Sequence, residues 1–261
     1  MSESRLATAR RPAATVGALR MRLRRAASGR VWAPFLTRLT LAFLAAVPLA
    51  ALFDRAAIEF VRSSDAAVIH WLHAATDIGR SHWYLVPAGV VLLGLGLYDW
   101  TRAGYRGRAR LALLYGQAAF VFGAVALPGM LVNVLKIGFG RFRPQAFDQL
   151  GAWAFDPFTT GYLNASFPSG HSTTMGAVTA ILILWFPRYW PAIAGVGFVL
   201  AASRIAAEAH YPSDVAAGFG IGLVSAMALA RFLAARRIGF RLASGRALPE
   251  VPGNRPDSVH G

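Results

Sequence analysis

The chain has 261 residues, 56% of them hydrophobic, and a formal net charge of +15. A soluble domain would be nearer about 45–50% apolar, so the composition points to one integral membrane domain with basic tails. Cysteine is absent, which excludes disulfides and thiolate chemistry. Nucleic acid does not suit the positive charge, because the arginines flank apolar runs and no nucleic-acid module accompanies them.

Residues 1–34 hold a run of arginines from Arg5 to Arg30 among alanine, serine and proline. They read as a basic cytoplasmic tail, partly helical at the membrane surface. Six apolar stretches follow, against the ~17–25 residues a helix needs to cross a bilayer. The first, 35–53, contains Arg38, which can snorkel to the interface, and Pro48. Residues 54–80 mix Asp54, Arg55, Glu59, Arg62 and Asp65 with apolar residues. That mixture predicts an amphipathic helix lying on the outer surface.

The second stretch, 83–98, has Trp83 and Tyr98 at its ends as interfacial anchors. A loop at 99–110 carries Arg102, Arg106, Arg108 and Arg110. The third stretch is 111–135, with a bend expected at Pro128-Gly129. The fourth is 172–186, then a tight turn at 187–191. The fifth has its core at 192–202, and the sixth is 215–233. The tail 236–261 is again basic and is read as disordered. The fold class is therefore all-α: a six-helix membrane domain over 35–235 between two cytoplasmic tails.

Arginine placement orients the chain. With six spans, both tails, the 99–110 loop and the 187–191 turn share one side, and its positive charge marks the cytoplasm. The 136–171 and 203–214 loops then share the opposite face, at the outer membrane–water interface.

Those two loops carry the chemistry. Lys136 is the only lysine in the chain. Lys136, Arg143 and Arg204 are cations on the side where topology does not call for them. Two readings stand: snorkelling to lipid phosphates, or a clamp on a phosphoryl group. Arg141 reads as a solvated side chain. Ser169 is placed to cap the fourth helix, with Gly170 behind it, and a helix start of that kind binds anions readily. His171 stands beside that turn and can donate a proton to a leaving oxygen. Asp214 follows His210 by four residues, near enough to hold its imidazole and leave the other nitrogen free as a nucleophile. Such a pair can also be purely structural. Ser213 reads as a cap, Glu208 as a partner for Arg204, and the Asn164-Ala-Ser166 acceptor pattern as coincidence.

Together these residues make an ordered set: Lys136, six residues, Arg143-Pro144; then Pro168-Ser169-Gly170-His171; then Ser203-Arg204, five residues, His210, three residues, Asp214. The set resembles the three-part signature of the type-2 phosphatidic acid phosphatase superfamily, and the likeness covers roughly 80–235. That superfamily includes bacterial membrane lipid phosphatases and soluble vanadium haloperoxidases; the apolar spans set this chain apart from the latter. The resemblance implies metal-independent phosphate hydrolysis without a cofactor. It implies His210 as the nucleophile forming a phosphohistidine, Asp214 as its orienting partner and His171 as the general acid. It implies Lys136, Arg143, Ser169, Gly170 and Arg204 as phosphate-binding positions.

The expected partners are a membrane lipid phosphate and the bilayer itself. The sequence leaves open lipid A 1-phosphate, undecaprenyl diphosphate and phosphatidylglycerophosphate as substrates. It also leaves open transfer between two lipids, or anionic-lipid binding without catalysis.

Overall fold

A computed structural model describes residues 21, 23, 31–242 and 246–252. Most of the expected tail 1–34 lies outside the described residues, as do 243–245 and 253–261. The described chain is helical: α1 (Pro34–Ala51), α2 (Asp54–Ser63), α3 (Ala67–Ala75), α4 (His82–Leu97), α5 (Tyr105–Phe139), the single turn α6 (Phe147–Leu150), α7 (Gly170–Trp185), α8 (Trp190–Ala206) and α9 (Pro212–Ala235). Among the described residues, β pairing is limited to two isolated bridges, Arg141 with Phe155 and Arg241 with Glu250. Helices occupy all six predicted apolar stretches. Four of them, α1, α5, α9 and the segment Pro187–Ala206, are long and apolar enough to cross a membrane. α4 and α7 have 16 residues each.

The chain forms two compact units. One comprises residues 34–83 and 124–227 and holds every candidate site residue; the other comprises 1–33, 84–123 and 228–261. In the second unit Phe120 and Phe240 are both buried and meet edge to face at 4.8 Å. There Gln117 donates to the Gly239 carbonyl. Within the expected C-terminal tail, Ile238 and Phe240 are buried, and Arg241 and Glu250 exchange two backbone hydrogen bonds.

The first unit is built on a close helix contact. A Cβ at Gly222 would stand 1.9 Å from the Thr173 carbonyl oxygen, and one at Gly218 would stand 2.3 Å from that of Ser169. Only glycine lets α7 and α9 approach so nearly, the small-residue packing common between apolar helices. This contact brings the start of α7 to the start of α9, and Ser169 N–H donates to the Asp214 carbonyl at 3.0 Å.

Residues 54–80 depart from the expected surface helix. α2 is amphipathic, with Arg55 and Glu59 paired on its exposed side. Its other face is docked: Asp54 and Ile58, one turn apart, are both fully buried. Ile58 packs with Tyr211 and Ala152. Thr76 and Gly79, after α3, are buried as well. A helix with one apolar stripe buries it wherever a complementary surface lies, and here that surface is protein.

Candidate active site

The site begins where α5 stops. Gly140 has φ +58°, and its N–H donates to the Lys136 carbonyl at 2.8 Å. This is the left-handed residue that ends many helices. A Cβ there would lie 1.8 Å from the Asp156 carbonyl oxygen. The turn leaves Lys136 in the last turn of α5 and sends Arg141 and Arg143 inward. The Lys136 Nζ lies 3.8 Å from where a Cβ on Gly170 would stand, so the ammonium sits at the first residue of α7. Ser169 caps that helix, accepting from Ser172 N–H at 3.3 Å. A cation and a helix N-terminus thus face the same space, and both attract an anion.

Arg143 is buried, and its guanidinium stacks 4.1 Å from the Tyr162 ring. Its Nε, Nη1 and Nη2 donate to the carbonyls of Tyr162, Ala209 and Ala165. A guanidinium has five N–H donors, so this cradle fixes the group while two remain for a ligand. Arg204 lies in the last turn of α8, and its Nη1 donates to Thr76 Oγ1 at 2.8 Å. Its Nε is buried with no hydrogen-bond partner.

His171 stands in the first turn of α7 against Gly79, where an added Cβ would meet its ring at 3.2 Å. Burial lowers this imidazole to about 4, helped by the positive charges of Arg204, Lys136, Arg80 and Arg143. His210 is 1% exposed. Burial lowers it to about 3, against the attraction of Asp214. Both rings are therefore neutral near pH 7. The cations and histidines taken from three distant motifs meet in one unit of the structure.

Two readings of individual residues need correction, and a third holds in proximity but not in its helical geometry. Arg141 is not solvated. It is 2% exposed, donating from Nη1 to Asp214 Oδ1 at 2.6 Å and from Nη2 to Asp54 Oδ2 at 2.7 Å. Glu208 pairs with Arg62 at 2.7 Å, not with Arg204. α8 ends at Ala206 and Glu208 has φ +49°, so the four-residue helical spacing does not apply. His210 Nδ1 lies 3.6 Å from Asp214 Oδ2, beyond hydrogen-bond distance, and has no partner. His210 precedes α9, which starts at Pro212, so the pair does not share a helical turn. The Asp214 carboxylate is held by Arg141, by Ser166 Oγ at 2.6 Å and by Tyr211 N–H at 2.9 Å.

The structure adds Asp54, Thr76, Gly79 and Arg141 to the residues read from sequence. Arg62 joins them at the rim, reaching Glu208, Asp148 and the Pro144 carbonyl.

The PAP2 superfamily pattern matches residues 117–238. A lipid A 1-phosphatase of Rhizobium johnstonii is 39% identical over 176 residues, which are 64% of this chain and 70% of the relative. A lipid A 1-phosphatase of Rhizobium etli is 37% identical over 176 residues, 64% of this chain and 73% of the relative. A solved PAP2-type phosphatidylglycerolphosphate phosphatase from Bacillus subtilis is 20% identical with a TM-score of 0.45, across 73% of this chain and 91% of that one. The protein is a phosphatase with helices long and apolar enough to cross a membrane. It belongs to the PAP2 superfamily.

Proposed function

We propose that the chain hydrolyses the phosphate ester of a membrane lipid through a phosphohistidine on His210. One observation carries the reading: Lys136, Arg143 and Arg204 surround two neutral histidines, and Arg204 Nε and His210 Nδ1 are buried without partners. A phosphoryl group supplies acceptors for Arg204 and for the open donors of Arg143, Lys136 and the α7 start. These donors are fixed before the substrate arrives, and preorganised donors stabilise developing charge most strongly in a dry site. His210 attacks phosphorus, and His171 protonates the leaving oxygen. His171 then draws a proton from the water that cleaves the phosphohistidine. Asp214 orients His210 electrostatically from 3.6 Å, a gap that closes as the imidazole gains charge; such bonds are often long before substrate binds.

Lipid A 1-phosphate is the substrate we favour, on the strength of the two Rhizobium relatives. Undecaprenyl diphosphate and phosphatidylglycerophosphate are the competitors. Three clustered cations disfavour a divalent ion, so hydrolysis proceeds without a metal. The test is phosphate release by the purified protein from each lipid, with and without EDTA. Lipid A 1-phosphate is expected to turn over fastest and EDTA to leave the rate unchanged. Complete loss in EDTA that magnesium restores would overturn the mechanism. Phosphate moving to a second lipid without release would establish phosphotransfer instead.

The six helices at the six apolar stretches support a six-span domain over 35–235, with both tails cytoplasmic and the site on the outer face. The arginine asymmetry gives the direction. The chain lacks cysteine, so single reporters are clean. A cysteine replacing exposed Gln149 is expected to react with a membrane-impermeant thiol reagent in intact spheroplasts, and one replacing exposed Gly104 only after lysis. The reverse pattern would invert the topology.

A further inference from the structure

The least expected feature of the first unit is a buried chain of charge that starts at Asp54, 87 residues before its partner Arg141. Asp54 opens α2 and is fully buried. Its Oδ1 accepts from Ser213 N–H at 2.9 Å, and its Oδ2 accepts from Ser213 Oγ at 2.6 Å and from Arg141 Nη2 at 2.7 Å. Arg141 in turn holds Asp214 Oδ1 through Nη1. Its Nη2 and Nε also donate to the Ala152 carbonyl, and its guanidinium lies 4.3 Å from the Tyr211 ring. Asp214 is the one member of this chain that meets the site, its Oδ2 standing 3.6 Å from His210 Nδ1.

We infer that Asp54 and Arg141 are positioning residues for His210, acting through Asp214. This rests on the phosphohistidine reading above. Two functions follow from the geometry. The first is orientation: Arg141 engages Oδ1, which turns Oδ2 toward His210 Nδ1. The second is charge. Arg141 alone would cancel Asp214 and leave nothing to attract the positive charge that grows on His210 as it attacks phosphorus. Asp54 cancels Arg141 instead. Two carboxylates and one guanidinium leave one net negative charge, free to act on the imidazole. Partners that orient and tune an active-site group from outside are typically worth 10-fold to 100-fold in activity, on the order of the loss expected here.

The charge account separates this role from simple support. Asp54→Asn makes the cluster neutral overall. The double variant Asp54→Asn/Arg141→Gln restores one net negative charge, on Asp214 alone, and Gln can still donate to Oδ1. Asp54→Asn is therefore expected to lower kcat by roughly 10-fold to 100-fold, with KM within about twofold of wild type. The double variant is expected to recover at least about half of that loss on a logarithmic scale. A framework role predicts that kcat rises and falls in step with Tm across the two variants, whereas the charge account predicts recovery of kcat in the double variant whatever its Tm.

Wild type, both variants and His210→Ala are assayed together for phosphate release and for phosphoenzyme formation. Equal kcat in Asp54→Asn and wild type overturns the inference. So does a double variant as slow as the single one, or one that fails to fold. If the single variant alone fails to fold, the double variant decides: folded and active supports the charge balance, folded and inactive refutes it. Phosphate release by wild type without label on His210 would instead break the phosphohistidine reading, and a kcat difference between Asp54→Asn and wild type would remain readable.

Discussion

His210→Ala is expected to abolish turnover, with kcat down by ~10⁴-fold or more, the scale on which losing a nucleophile is felt. The ring is buried, neutral and flanked by Arg143 and Lys136. A neutral imidazole presents a lone pair to phosphorus at pH 7, whereas a protonated one does not. Alanine removes that lone pair. Trapping with radiolabelled lipid phosphate and quenching at alkaline pH checks the point. Label on wild type and none on His210→Ala is the expected result. Label retained in the variant, or found on Ser169, would assign the nucleophile elsewhere.

The same burial has a stability consequence. The folded His210 titrates at about 3, against an ordinary value near 6.5. Between these values the unfolded chain binds more protons than the folded one, so stability rises with pH across that window. Acid therefore erodes the fold as pH drops from about 6.5 toward about 3, and neutral pH does not.

The helices were legible because long apolar stretches announce themselves by length and composition alone. The cationic residues were legible because charge at the ends of such stretches is costly unless it has a use. Arg141 and Asp54 were not. A buried ion pair spanning 87 residues leaves no local pattern, and each partner looks like one more surface charge at a helix end. Glu208 was given the wrong partner, and the His210–Asp214 pair the right partner in the wrong geometry, for a shared reason. Both readings assumed helix between residues four apart, but α8 has ended and α9 has not begun. Distances across a loop follow its backbone turns, not the helical period. The Arg204 carbonyl makes one such turn by accepting from both Ala209 N–H and His210 N–H.

His171→Gln is expected to slow lipid phosphate hydrolysis by about 10²–10⁴, the usual worth of a general acid. The protein's own groups work against that role, since burial and four nearby cations hold His171 at about 4. The substrate reverses this. A phosphate entering between Lys136, Arg143 and Arg204 offsets their charge and gives His171 an anionic oxygen to face, so its proton affinity rises on binding. Lipid binding should then take up a proton, and wild-type turnover should fall as pH rises above the value His171 acquires in the complex. In His171→Gln that decline disappears and the residual rate is nearly flat. The leaving group supplies the sharper test. A lipid alkoxide is a poor leaving group and needs the proton, while a nitrophenolate does not. The variant's deficit should therefore shrink by at least about tenfold with p-nitrophenyl phosphate relative to the lipid. Equal deficits on the two substrates would show that His171 binds phosphate and leaves proton transfer to another group.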